Sequence, residues 1–186
     1  GTACMGSSTL CADGDGTAAC TPAPCPAPLE SGNCAEPFIS QFQEAMSGNN
    51  KYAQLYNPSD AAISLDEYTW VNCANGCGDG DGTFEYVWSF PVGATIPVGG
   101  TWTWCNSQME AETLCTDAGA DPATCCDLAE PYPVASWNGD DAQGLIKGAF
   151  ADKDAATAAY AACPALLVDQ IGSFSEADPG SFWPIC

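Results

Sequence analysis

At 186 residues and 19.1 kDa the chain is long enough for one hydrophobic core. Its net charge of −21 comes from 24 acidic residues against three lysines, with no arginine and no histidine. That balance excludes nucleic acids and anionic membrane surfaces as partners, because both need cationic side chains to meet phosphate. Thirteen cysteines place the chain in an oxidising, extracellular setting, where thiols close as disulfides.

Residues 1–36 form a distinct arm. Gly, Ala, Thr, Pro and five cysteines (Cys4, Cys11, Cys20, Cys25, Cys34) dominate it, with almost no bulky apolar side chain. Such a segment cannot build a core by burial, so disulfides must hold whatever shape it has. Within it Thr21-Pro-Ala-Pro-Cys-Pro-Ala-Pro28 reads as polyproline II. At ~3.1 Å per residue it reaches roughly 25 Å, enough to cross one face of a small domain.

Residues 37–186 read as a β-rich body. Phe38 to Phe42 opens a set of short strands, followed by Lys51 to Tyr56 and a turn at Asn57-Pro58-Ser59-Asp60. Ile63 and Leu65 alternate with polar residues, and Tyr68 to Val71 continues a strand. Phe84, Tyr86, Trp88 and Phe90 fall on one face at period two. Ile96 to Gly100 is a turn, and Thr101 to Cys105 a further strand. Residues 106–133 carry Cys115, Cys125 and Cys126 among small and acidic residues, and read as a disulfide-stapled insertion. Asn138-Gly139 predicts a hairpin between Pro133–Trp137 and Ala142–Lys147. Asp152 to Cys163 is Ala-rich and predicts one short helix, marginal alone and in need of packing or a disulfide at Cys163. Leu166 to Ile171 is a last strand, and Phe174, Phe182 and Trp183 are expected to fold back onto the body. Short strands separated by turn signals predict an all-β, antiparallel β-sandwich.

Four segments in this order resemble the lamin-tail domain in its secreted form. They are Pro37-Phe-Ile-Ser-Gln-Phe-Gln-Glu44, Gly48-Asn-Asn-Lys-Tyr-Ala-Gln-Leu-Tyr-Asn-Pro58, Ser136-Trp-Asn-Gly-Asp-Asp-Ala-Gln-Gly-Leu-Ile-Lys147 and Val168-Asp-Gln-Ile-Gly172. The resemblance covers about residues 37–172 and implies an immunoglobulin-like sandwich with an accessory or structural role and no catalysis. The chain departs from the family at Gln54, where an acidic residue is usual. The resemblance does not account for the arm, the insertion or the Ala-rich stretch at 152–162.

The remaining constellations read as structural. Cys73-Ala-Asn-Gly-Cys77 lacks the histidine or second close pair that zinc prefers, and reads as a disulfide clasping a turn. Cys125 and Cys126 are adjacent and cannot readily bond to each other, so they reach two different partners. Cys115, Cys163 and Cys186 are further disulfide candidates. Thirteen is odd, which leaves either a buried free thiol or a bond to another chain or to a missing part of this one. Asp13-Gly-Asp15-Gly and Asp79-Gly-Asp81-Gly offer oxygen ligands to calcium, but Phe84 and Phe90 stand where an EF-hand needs Gly and Glu. They read as acidic turns with weak calcium binding as the alternative, and no other cofactor is expected. Asp140 and Asp141 are neighbours that point apart, unlike a glycosidase pair, and read as turn-capping side chains. Any Ser or Cys nucleophile lacks a histidine base. No apolar run reaches the ~18 residues of a membrane span. The first residues carry no signal peptide, so a leader has been removed or the chain is part of something longer.

These readings converge on a non-enzymatic extracellular or cell-surface module that assembles with copies of itself into a homopolymer, such as a fibril or sheath. The prolines Pro22, Pro24, Pro26 and Pro28, the aromatics Phe38 and Phe42, and an exposed Trp102 and Trp104 are the expected contact residues. The alternative is a carbohydrate- or calcium-binding accessory module of a larger secreted protein.

Overall fold

The computed structural model describes residues 35–44, 48–77, 82–110, 124–130, 135–176 and 180. Along these the strands are β1 (Phe38–Gln43), β2 (Tyr52–Tyr56), β3 (Ile63–Ser64), β4 (Tyr68–Cys73), β5 (Tyr86–Ser89), β6 (Thr95–Ile96), β7 (Thr101–Asn106), β8 (Leu128–Glu130), β9 (Ala142–Lys147) and β10 (Leu167–Ile171). A single α-helix among the described residues, α1 (Lys153–Ala162), precedes β10. One sheet has the order β1-β2-β7-β8 and the other β10-β9-β4-β5, with β3 and β6 as a small ribbon. The chain is therefore the all-β sandwich that its pattern predicts.

Alternation along the strands builds the interior. Ala53 and Leu55 of β2, Trp102 and Trp104 of β7, Trp70 of β4 and Leu145 of β9 point between the sheets into one core. Its rings interlock: Trp70 meets Trp104 edge-on at 4.6 Å, Trp88 meets Phe90 at 4.6 Å, and Phe42 stacks on Trp137 at 4.9 Å. Each such pair adds about 0.5–1.5 kcal/mol beyond the area it buries.

A second apolar cluster covers the other face of the β10-β9-β4-β5 sheet. Val71 and Ile146 meet Phe84, Ala156 of α1 and Phe174 there, with Val87 and Tyr160 at the margin. This sheet is buried on both faces, which explains why β4 and β9 are buried at almost every position instead of at alternate ones. The helix begins where Asp152 caps it, its carboxylate accepting from Ala155 N at 2.9 Å. Phe174 folds back as expected and seats its ring on Gly144.

Four expectations need correction. Residues 135–137 form no strand, and Asn138-Gly139 is a local turn closed by Asp141; β9 pairs with β4 and β10 instead. The cross-strand partners were available elsewhere in the chain, and burial outweighed the hairpin signal. Residues 106–133 are not wholly an insertion between strands, because Asn106 ends β7 and Leu128–Glu130 adds β8 parallel to it, the one parallel pair among the described strands. Phe84 does not share a face with Trp88 and Phe90. The strand begins only at Tyr86, so Phe84 lies in the outer cluster while the other two enter the core. Finally, Cys163 is not in a disulfide: it is a buried free thiol at the helix C-cap.

Two turns share one design. Pro91-Val92-Gly93-Ala94 and Pro97-Val98-Gly99-Gly100 each close with an N–H to the proline carbonyl at 2.9 Å. Gly93 and Gly99 take φ of +81° and +65°, as the third residue of a type II turn requires. The valine at the second corner is exposed in both, Val92 almost completely.

Candidate functional site

The outer face of the first sheet differs from the rest of this acidic molecule. Strands β1, β2 and β7 contain no charged residue at all. Register aligns three cross-strand rows on this side: Phe38–Tyr56–Thr101, Gln41–Gln54–Thr103, and Gln43–Tyr52–Cys105. At the β7 end Thr103 and Cys105 are buried, and the Asp127 carboxylate accepts from Thr103 N at 2.7 Å, so the exposed part of the face is that of β1 and β2. The middle row is a hydrogen-bonded ladder. Ser40 Oγ donates to Gln54 Oε1 at 3.0 Å, and Gln54 Nε2 donates to Thr103 Oγ1 at 3.0 Å. Tyr52 OH donates to Gln41 Oε1 at 3.0 Å, and the Phe38 ring lies 5.5 Å from that of Tyr56. Gln54, the departure from the lamin-tail pattern, is therefore the central link of a neutral polar network. Phe38 is the most exposed aromatic ring on this face, at 40%.

The four body aromatics expected at an interface divide. Phe38 is on this face. Phe42 turns inward onto Trp137, and Trp102 and Trp104, at 6% and 0% exposure, lie in the core. They fail as surface residues because period two in β7 points both tryptophans to the same side, and that side is the interior. Asp13, Asp15, Asp79, Asp81, Pro22, Pro24, Pro26, Pro28, Cys115 and Cys186 lie outside the described residues, as do Phe182 and Trp183.

Disulfides staple the framework. Cys73 bonds Cys77, clasping the turn as expected. Three successive residues there, Asn75, Gly76 and Cys77, have positive φ. Cys105 bonds Cys126 and ties the inserted segment to β7, worth about 3 kcal/mol by loop-closure entropy. Cys125 is in a separate disulfide, so the adjacent cysteines do reach different partners. With Cys163 unpaired, 13 − 1 leaves twelve cysteines, an even number that can close within one chain.

Buried charge gathers at one end of the sandwich, around Trp137. Lys51 is buried and its Nζ donates to the Trp137 carbonyl, while Trp137 Nε1 donates to Gln43 O at 3.1 Å. Asp141 accepts from Asn75 N at 2.8 Å and from Asn138 N at 2.7 Å, so its carboxylate ties the disulfide turn to the Asn138 turn. Burial pushes the Asp141 carboxyl above its ordinary value despite these donors. Burial raises Glu44 as well, against the lowering influence of Lys51. These groups brace loops and present no nucleophile beside a base.

At the seam between the sheets Asp169 Oδ2 accepts from Ile39 N at 2.8 Å, and burial raises its carboxyl too. Register breaks in both β1 and β10 flank this contact. Glu36 accepts from Lys147 Nζ at 2.7 Å and from Tyr68 OH, fastening the chain just before β1 to the second sheet. Burial first, and that bond second, hold the Tyr68 phenol above its ordinary range. Among the described residues no three His, Cys, Asp or Glu side chains converge as a metal site. No described helix is long and apolar enough to cross a membrane.

No family model matches the chain, and no curated protein matches it. Among solved structures it is similar to a DUF4876 family protein from Bacteroides thetaiotaomicron VPI-5482, at 14% identity and a TM-score of 0.43. The similarity covers 61% of this chain and 42% of that one, so this chain spans under half the length of its structural neighbour.

Proposed function

We propose that this chain is a non-enzymatic extracellular structural module, lamin-tail-like in fold, that assembles with copies of itself through the neutral outer face of the β1-β2-β7 sheet. The observation that carries this reading is the absence of charge from three consecutive sheet positions in a chain of net charge −21. Two such chains repel over most of their surface, and a stable contact needs a patch that adds no like charge. The face supplies one, with Phe38, Tyr52 and Tyr56 as contact rings and Gln41 and Gln54 as hydrogen-bonding groups. The disulfide staples suit a durable body in an oxidising medium. Support for a covalent polymer is weaker, because Cys163 accounts for the odd thiol. The family resemblance adds the order of β1, β2, β9 and β10 along the chain.

Sedimentation of the native full-length chain tests this. Assembly is expected to grow from about 0.02 M to about 0.5 M salt, as screening shortens the range of the acidic repulsion. Tyr56→Glu is expected to abolish it. A chain that stays monomeric at every salt and concentration overturns the proposal.

A second reading rests on the same residues. Tyrosine and glutamine on a flat neutral face also suit a neutral polysaccharide, through ring stacking and amide hydrogen bonds. Affinity electrophoresis in neutral glycans, with Tyr56→Glu as the control, distinguishes it.

A further inference from the structure

We infer, building on that self-assembly reading, that the occupant of the charge-free face is the proline segment Thr21–Pro28 of a second copy. The charge pattern matches on both sides. Residues 16–29 carry no charge between Asp15 and Glu30, and strands β1, β2 and β7 carry none. Neither side brings like charge to the contact in a molecule that is acidic elsewhere.

The hydrogen-bonding chemistry also matches. Alternate prolines leave the segment with carbonyl acceptors and few N–H donors. A polyproline II strand has no internal hydrogen bonds, so those carbonyls need outside donors. The face presents the amide of Gln41, whose oxygen is already engaged by Tyr52, and the hydroxyl-bearing ring of Tyr56. Proline-rich strands are recognised by flat aromatic side chains, since their rings are preformed and lose little entropy on docking. The segment is long enough for the face: eight residues at ~3.1 Å each cover roughly 25 Å, about twice the roughly 13 Å from Tyr52 to Tyr56 along β2.

The root of the arm is fastened to the second sheet. Glu36 is bonded to Lys147 at the end of β9 and to Tyr68 at the start of β4, which are paired residues of the second sheet. Pro37 is buried beside them. The chain therefore enters β1 from the side of the opposite layer. Docked on the face of a second copy, the segment joins different surfaces of the two chains. Such a contact is heterologous and head-to-tail, and it propagates as a filament unless its rotation closes a ring.

The test uses the full chain with charge placed on either side of the contact. Ala23→Glu with Ala27→Glu in the arm, and separately Tyr56→Glu or Phe38→Glu on the face, are each expected to weaken assembly at least tenfold by sedimentation. Melting temperature and non-reducing intact mass confirm that each variant is folded. Tyr56→Lys is expected to restore assembly of the Ala23→Glu chain. If the arm variant assembles like the parent while the face variants do not, another surface of a second copy, or a glycan, fills the face, and the arm assignment is overturned with self-assembly intact. If arm and face variants all assemble, the assignment is likewise overturned. If the parent chain itself stays monomeric, the self-assembly reading fails instead. Intramolecular cross-linking of arm to face in that monomer also overturns docking between copies.

Discussion

Gly144 is the position where one methyl group is expected to do measurable harm. It lies in β9, at the middle of the second sheet, and the Phe174 ring rests on it. A Cβ there would sit 2.7 Å from two ring carbons of Phe174 and 3.1 Å from the Asp169 carbonyl. Carbon pairs settle at ~3.5–4.0 Å, so the ring must move by about 1 Å. The Asp169 carbonyl has less freedom, because it belongs to the paired strand β10. Two effects compete in Gly144→Ala. Removing a glycine restricts the unfolded chain and stabilises by about 0.4–1 kcal/mol. Overpacking costs about 1–3 kcal/mol. The clash wins, and a net loss near 1–2 kcal/mol lowers Tm by roughly 2–4 °C per kcal/mol for a chain of this length. Thermal melts under non-reducing conditions measure it. The decisive control is a double-mutant cycle. Phe174→Ala alone costs about 3–5 kcal/mol, and in its background Gly144→Ala becomes neutral or stabilising because the ring is gone. An unchanged or raised Tm for Gly144→Ala in the parent chain, or strict additivity in the cycle, would refute the placement of Phe174 on this sheet.

Other expectations follow from the same contacts. Asp141, Asp169 and Glu44 all have carboxyls raised by burial. The folded state then holds protons more tightly than the unfolded one, so their stabilising contribution is complete below about pH 4 and is lost as pH rises through the raised values. Tm should therefore climb as pH falls from 8 towards the ordinary carboxylate range. Asp169→Asn, which keeps the oxygen that accepts from Ile39, should raise Tm at pH 8 and flatten the slope; a Tm that drops over that range contradicts the account. Thiol titration should detect no reactive cysteine in the native chain and one, Cys163, after denaturation without reductant; two or more would mean that a cysteine besides Cys163 is unbonded. Asp152→Ala removes the cap on α1 and should cost about 1 kcal/mol, read as a Tm fall of a few degrees. No change would mean that helix packing, not capping, holds its first turn.

The parts of this fold that were legible in the sequence are those where one rule acts alone. Period two in Tyr52–Tyr56 and Thr101–Asn106 identifies the strands, and the Ala-rich run after Asp152 identifies the helix. The Cys73–Cys77 clasp follows from spacing and redox setting. The misreadings arise where a local rule meets a tertiary demand. Trp102 and Trp104 share a face by periodicity, but periodicity cannot say which face is interior. Asn138-Gly139 signals a hairpin, yet β9 takes β4 and β10 because both of its faces need cover. Phe84 continues the alternation of Tyr86 and Trp88 on paper and breaks it in space, because it belongs to a layer built with Phe174, ninety residues away. The repeat Pro-Val-Gly at 91–93 and 97–99 was readable as twin turns. The neutral face had a signal too: 17 strand residues without charge, visible only once register joins β1, β2 and β7.

The distribution of the three lysines makes that neutrality matter. Lys51 is buried under Trp137, joining two of the stretches that carry the lamin-tail resemblance. Lys147 is held by Glu36 at the seam. Lys153 opens the helix and is the one lysine left exposed. Two of three lysines thus serve the inside of the molecule, and one exposed lysine is left against 24 acidic residues. A protein with mixed surface charge can join its copies through ion pairs. This one has almost no cation to offer, so under the proposed self-assembly its contacts would be made of rings, amides, hydroxyls and prolines. Its strength of assembly should then depend on salt through long-range repulsion alone, rising with ionic strength where an ion-paired interface would fall. The sign of that dependence follows from composition, and the proposed place of contact from the register of three strands.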